Sequence, residues 1–371
     1  MIPDSVSGRP DAPEPRLRAF PCYEARGAHR DVGRQHGEQA AEQIHEHLDL
    51  ISRSLKLSRH QMAAGALRFQ PLFEQYCPHL LDEILGLAEG ARISYADALA
   101  VNVRSALKLV PDTGCTAFVV AGRGTSRGRI LAGQNSDVVP AVMRLGYGLI
   151  VRPADKPAAL MWTFGGMIGY HGINSRGVAQ FANDLGGGPQ PRFALPHYPL
   201  KRLMLECETL EEIVTLFRRI PLCFSGNYVV CDGRQQILDI EATPEGIELV
   251  TDGGVGFIAH SNHFVCSRFA TQVNHTASAS DSFTRLERMN QLIQTRFGKL
   301  DVDDCQSFLR DRAGEPSAIC RSAQTSDPEA DWTTAGITVA SIVAEPEVGQ
   351  LHVATGNHPE APFVTWSLNQ M

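Results

Sequence analysis

The sequence predicts an α+β protein in which antiparallel sheets are packed against helices. Two observations carry that prediction. Residues 33–110 show apolar positions at helical spacing almost throughout, whereas the chain after Gly114 is strand-rich, with short β-branched or aromatic runs, glycine-containing turns and a few helices between them. The strands are joined mostly by hairpin-length links, which favours antiparallel pairing over βαβ units.

The elements follow in order. Residues 1–17 are polar and proline-rich and read as a flexible tail, and Ala19 to Gly27 as one short strand. Ala41, Ile44, Leu48, Ile51 and Leu55 mark one face of an amphipathic helix, with glutamates and histidines, His45 and His47 among them, on the other. A second helix is predicted over Arg59 to Tyr76. A third starts at Pro78, where a first-turn proline is tolerated, and stops at Gly90. Ser94 with Asp97 starts a fourth, through about Leu107.

After Gly114, Thr116 to Val120 and Arg129 to Gln134 flank a turn cluster and form a hairpin. Folding it brings Asp137 near the backbone of Cys115. Strands are predicted at Gly148 to Arg152 and Ala159 to Phe164, and a hairpin turns at Asn174-Ser175-Arg176-Gly177 into Val178 to Asn183. Helices cover Pro199 to Glu206 and Leu210 to Arg219, the second capped by Thr209 with Glu212. A third hairpin joins Asn227 to Cys231 with Gln236 to Glu241. A strand runs into His260-Ser261-Asn262-His263, helices follow at Phe283 to Arg296 and Val302 to Arg312, and three strands close the chain: Thr338 to Glu345, Gln350 to Thr355 and Phe363 to Ser367. No repeat or long linker divides it. The expected organisation is one domain, with a mainly helical segment 1–114 and a body 115–371.

Composition narrows the function classes. The chain has 371 residues, 43% hydrophobic and 20% charged, which is ordinary for a globular enzyme. A net charge of -7 and scattered arginines give no nucleic-acid footprint. No apolar run reaches bilayer length and the first twenty residues lack a secretory core, so a cytoplasmic protein without membrane partners is expected. The 9 cysteines are odd in number and widely spaced, with no Cys-x-x-Cys pair, which fits neither a disulfide framework nor a cysteine-rich zinc site.

The chemistry centres on Gly114-Cys115. The nearest histidines in sequence are His79 and His171, so no local Cys-His signature exists. Were the chain cut before Cys115, its own α-amine, with a reference pKa of about 8, would serve as base beside a thiol of about 8.5. Gly114 suits such a cut because no side chain obstructs its carbonyl. The alternative at this stage is a cysteine merely buried in a strand.

Six stretches occur in order: Gly114-Cys115-Thr116, Gly133-Gln134-Asn135-Ser136-Asp137, Gly172-Ile173-Asn174-Ser175-Arg176-Gly177-Val178 leading to Asn183, His260-Ser261-Asn262-His263, Arg285-Leu286-Glu287-Arg288-Met289, and Ser317-Ala318-Ile319-Cys320-Arg321. Together they resemble the N-terminal-nucleophile cysteine hydrolases of the acyl-CoA:6-aminopenicillanate acyltransferase type, relatives of choloylglycine hydrolases. The resemblance implies an αββα fold and self-cleavage between Gly114 and Cys115. It implies Cys115 as nucleophile, Asp137 as the carboxylate holding the new amine, Asn183 and Asn262 as the oxyanion pair, and Arg321 as the arginine orienting Asp137. Gln134 stands where choloylglycine hydrolases carry arginine, and Ser225 aligns with a pocket serine. Ala117 and Ser136 depart from the family pattern, which bears on substrate choice.

The expected partners are a small acylated amine or acyl thioester and the protein's own cleaved N-terminal segment, with self-association left open; no cofactor is required. Two rival readings remain at this stage: an uncut small-molecule-binding protein on the same scaffold, and a metal-dependent hydrolase using His260 and His263.

Overall fold

A computed structural model describes residues 19–108, 114–186, 188–270, 277–322, 336–356 and 361–369. The predicted tail lies outside these residues. The chain begins with β1 (Cys22–Gly27) and seven helices: α1 (His29–Gln39), α2 (Ala41–Leu55), α3 (Arg59–Leu67), α4 (Gln70–Tyr76), α5 (Pro78–Ala91), α6 (Tyr95–Asn102) and α7 (Arg104–Lys108). Then come β2 (Cys115–Val120), β3 (Leu131–Val138), α8 (Val142–Leu145), β4 (Gly146–Pro153), β5 (Ala159–Phe164), β6 (His171–Asn174), β7 (Ala179–Asp184), α9 (His197–Met204) and α10 (Leu210–Arg219). The remainder is β8 (Gly226–Cys231), β9 (Ile237–Thr243), β10 (Gly246–Val250), β11 (Phe257–His260), α11 (Ser267–Ala270), α12 (Ala277–Arg296), α13 (Val302–Leu309), β12 (Ile337–Glu345), β13 (Gln350–Thr355) and β14 (Val364–Ser367).

Among the described residues these strands form two sheets, in the orders β1-β4-β5-β6-β7-β8-β9-β10 and β11-β2-β3-β12-β13-β14. Every pairing is antiparallel except β1 with β4. The parallel exception follows from chain length: the helices between β1 and β4 provide the long crossover that a hairpin cannot. The sheets face each other through β2, β3, β7 and β8. Phe118, Val120 and Leu131 on the outer face of the smaller sheet pack under Met289, Ile293 and Phe308 of α12 and α13. Helices α1 and α10 pack on strands of the larger sheet. The arrangement is a four-layer αββα sandwich.

Several elements differ from the prediction. The predicted helix over Arg59 to Tyr76 is two helices with a break at Arg68 and Phe69, because Pro71 has no N–H for the Leu67 carbonyl and is tolerated only in the first turn of a new helix. The helix from Ser94 is likewise split at Val103, although Ser94 does cap it, accepting from the Asp97 N–H at 3.1 Å. His47 is buried rather than solvent-facing: its Nδ1 bonds the Gly165 carbonyl oxygen at 2.9 Å and its ring leans on Phe164. Strand β10, which continues the β8-β9 meander, was not predicted.

Gly90 does not end α5, which continues to Ala91 and closes on Arg92 in the left-handed conformation. It is one of four glycines, with Gly33, Gly37 and Gly86, at which α1 and α5 touch backbone to backbone. A Cβ on Gly33 would stand 1.8 Å from the Glu83 carbonyl oxygen, and one on Gly90 would stand 2.0 Å from that of Arg34. Gly33→Ala is therefore expected to force the helices apart and lower the unfolding free energy by about 1–3 kcal/mol, the usual cost of overpacking, measured by urea denaturation. An unchanged midpoint would contradict the close packing.

Candidate active site

The β2-β3 pairing builds the centre of the site. Cys115 opposes Ser136, so the next residue on β3, Asp137, reaches the peptide ahead of Cys115. Its backbone N–H donates to the Gly114 carbonyl oxygen at 3.1 Å. Asn262, just beyond β11, accepts from the Cys115 N–H through Oδ1 at 2.8 Å. The Gly114-Cys115 peptide is thus gripped on both its oxygen and its nitrogen.

Two arginines crowd the same peptide. Arg285 on α12 is buried and donates to the Cys115 carbonyl oxygen, to Thr116 Oγ1 at 2.7 Å and to Asn262 Oδ1 at 2.8 Å. Arg321 bonds Asp281, which also accepts from Arg285 Nε at 3.2 Å. A Cβ on Gly114 would lie 2.5 Å from Arg321 Nη1, so glycine leaves room for that guanidinium. Thr338 links the two sides: its hydroxyl donates to Asp137 Oδ1 at 2.6 Å and accepts from the Arg321 N–H at 2.9 Å.

Burial sets the proton affinities. The Cys115 thiol is pushed up to about 12, first by burial and then by the Asp137 carboxylate, while the Asp137 backbone and the Gln134 amide act the other way. Asp137 is raised to about 6 by burial, partly offset by Arg321, Arg285 and the Thr338 hydrogen bond. A carboxyl near 6 is matched to proton transfer close to neutral pH.

Asn183 lies next to the end of β7 on the facing sheet. Its Oδ1 accepts from Gln134 Nε2 at 3.3 Å and its Nδ2 donates to Asn227 Oδ1 at 2.9 Å. Gln134 is itself anchored to both backbone groups of Ala182 and lies beside the Cys115 thiol. Cys115, Asp137, Asn262, Arg321, Gln134 and Asn183 therefore gather in one region. Ser225 stands apart: its hydroxyl points at Gly188, and no hydrogen bond among the described residues ties it to Cys115.

His260 and His263 are each held by protein partners. His260 bonds Glu241 Oε1 at 3.0 Å and the Ser261 carbonyl oxygen at 2.9 Å, so both ring nitrogens are engaged. His263 Nδ1 bonds Ser282 Oγ at 2.7 Å, and burial holds this ring down at about 4. Among the described residues no three His, Cys, Asp or Glu side chains are grouped to hold a metal ion, and no helix is long and apolar enough to cross a membrane.

Sequence reasoning singled out the segment around Arg285 without giving that residue a part. Its contacts arise from a helix far along the chain, and the available signal was an arginine opening a short motif. Asp281 and Thr338 had no signal of their own.

The family profile described as acyl-coenzyme A:6-aminopenicillanic acid acyl-transferase matches residues 124–357. The acyl-coenzyme A:6-aminopenicillanic-acid-acyltransferase 40 kDa form of Emericella nidulans is 26% identical over 359 residues, spanning 91% of this chain and 94% of that protein. Among solved structures, a mutant conjugated bile acid hydrolase from Clostridium perfringens aligns at TM-score 0.46 with 13% identity, covering 69% of this chain and 93% of that one. Penicillin V acylase from Agrobacterium tumefaciens aligns at TM-score 0.42 with 10% identity, covering 70% and 80%. With a profile match over more than half of its length, this chain belongs to the acyl-coenzyme A:6-aminopenicillanic acid acyl-transferase family.

Proposed function

We propose that the protein is a self-processing cysteine amidohydrolase or acyltransferase with Cys115 as nucleophile. The observation that carries this reading is the Gly114-Cys115 peptide held between the Asp137 N–H and Asn262 Oδ1, with a buried carboxylate alongside.

In the first stage the Cys115 thiol attacks the Gly114 carbonyl carbon. The Asp137 backbone N–H already bonded to that oxygen stabilises the charge that develops on it. The C–N bond breaks, the nitrogen takes up a proton as it leaves, and a thioester to Gly114 remains. Water hydrolyses the thioester, which yields a Gly114 carboxylate and a Cys115 with both thiol and α-amine free. Asp137, the carboxylate at hand, relays protons in the cut and holds the amine afterwards.

In the second stage the same thiol attacks the carbonyl of an acylated amine or an acyl thioester, and the α-amine takes the thiol proton. Asn183 and Asn262 each have an Nδ2 group donating a single bond, to Asn227 and to the Asp184 carbonyl oxygen respectively, which leaves one N–H apiece for the oxyanion. Water or an amine then accepts the acyl group. No step calls for a metal or organic cofactor. Arg285 and Arg321 act as positioning residues.

The segment ahead of the cut remains docked in this reading. Strand β1 lies in the larger sheet, and Glu83 of α5 is buried against Arg202 of α9, with Nη1 to Oε1 at 2.7 Å. The uncut binding protein and the metal hydrolase gain no observation in their favour; the engaged nitrogens of His260 weigh against the latter.

Three outcomes test the reading. Intact mass of the purified protein is expected to show two fragments, ending at Gly114 and beginning at Cys115, and Cys115→Ala a single full-length chain. Full-length wild-type chain that still turns over acyl substrates would sink the proposal. Because Asp137 works as the carboxylate and is raised to about 6, the cleavage rate of freshly refolded precursor should climb as pH rises through about 6; a rate that falls across that range would contradict the assignment. Arg285→Ala should slow cleavage by about 100-fold, the penalty for displacing reacting groups by about 1 Å, while Arg288→Ala, which removes a partly buried ion pair with Asp311 away from the Gly114-Cys115 peptide, should leave it unchanged.

A further inference from the structure

Behind Asn183 runs a line of buried side chains that the proposed reaction does not use. Asn227 on β8 accepts from Asn183 Nδ2 and donates its own Nδ2 to Asp239 Oδ1 on β9 at 2.9 Å. The other oxygen of Asp239 faces His260 Nε2 at 3.6 Å, and that ring bonds Glu241 and the Ser261 carbonyl oxygen. Glu241 also accepts from the backbone N–H groups of Val265 and Cys266, at 2.6 and 3.0 Å. Gln134, Asn227, Asp239, Glu241 and His260 are fully buried and Asn183 is 2% exposed.

A carboxamide is ambiguous, since either end can point either way, and an oxyanion donor must present nitrogen. Here the ambiguity is removed step by step. A carboxylate only accepts, so Asp239 draws the Nδ2 end of Asn227. That turns Asn227 Oδ1 toward Asn183, and an oxygen there draws Asn183 Nδ2. At the opposite end the Ala182 N–H fixes Gln134 Oε1, so Gln134 offers nitrogen to Asn183 Oδ1. His260 closes the line: with both nitrogens against acceptors it is a cation, and its charge sits beside Asp239. Burial alone would lower the His260 pKa, but Asp239 and the Glu241 hydrogen bond raise it.

We propose that Asp239, acting through Asn227, is the positioning residue that fixes which end of the Asn183 amide faces the nucleophile. The inference rests on the reading of Asn183 as an oxyanion donor. Self-cleavage does not depend on it, because the Gly114 oxygen is served by the Asp137 N–H. The two activities of the site should therefore separate.

The test uses Asp239→Asn. Beside the His260 cation the new amide turns its oxygen to the ring and its nitrogen to Asn227, which then flips and offers nitrogen to Asn183. Hexanoyl-coenzyme A with 6-aminopenicillanic acid serves as probe, with acyl transfer and hydrolysis both followed. The variant should cut its chain normally, bind with little change in KM and lose kcat by about 100- to 1,000-fold, the range for a disabled oxyanion donor. Asn227→Asp combined with Asp239→Asn restores an acceptor facing Asn183 and should recover at least several-fold of that loss. Retained kcat in the single variant, or no recovery in the double, overturns the inference while leaving the reading of Cys115 intact. If wild type neither cuts nor turns over, the reading of the site itself fails. Should Asp239→Asn not fold, Asn227→Ala must show the same selective loss of kcat, and an unchanged kcat there overturns the inference as well.

Discussion

The pairing of β2 with β3 is the constraint on which the rest of this structure depends. With Cys115 opposite Ser136, Asp137 falls level with the peptide that precedes the cysteine, and its N–H meets the Gly114 oxygen. A slip of one residue would turn every side chain of β2 to the opposite face. Cys115 would then leave the space between the sheets, and Thr116 would take its place. The register is held by what lies on either face: Phe118 and Val120 under the outer helices, Ala117 and Val119 in the larger core.

A second theme is buried charge gathered around a reactive peptide. Arg285, Asp281 and Asp137 are largely out of solvent, and unpaired each would be strongly unfavourable. They persist as a mutually bonded set, joined by Arg321 and Thr338, that spans α12, β12 and the two central strands. The same logic extends across the interface between sheets, where Gln134, Asn183, Asn227, Asp239 and His260 form a polar line through an otherwise apolar layer. Such networks are costly when incomplete and directional when complete. Direction is what a site that must present nitrogen, not oxygen, requires.

Much of this was legible in the sequence because it is local. Hairpin spacing foretold that Asp137 would return to Cys115. Ser94 and Thr209 announced helix starts, and both hydroxyls accept the expected N–H. What escaped was non-local. Gly90 reads as punctuation until α1 is laid against it, and then it is a contact surface. His47 is polar in isolation and buried once Gly165 offers a carbonyl. Arg285 opens a short motif, yet its partners, Cys115, Thr116 and Asn262, come from other segments. The ordering of an amide by a carboxylate two strands away leaves no trace in either stretch alone.

The central claim is that sulfur and nitrogen of a single residue act together after the chain has opened ahead of it. A reagent that condenses only with a 1,2-aminothiol, 2-cyanobenzothiazole, tests this most directly on the native purified protein. The account predicts one label per molecule, mapped to a peptide beginning Cys115-Thr116-Ala117, with loss of turnover in proportion to labelling. Active protein that takes up no label at Cys115 would contradict it.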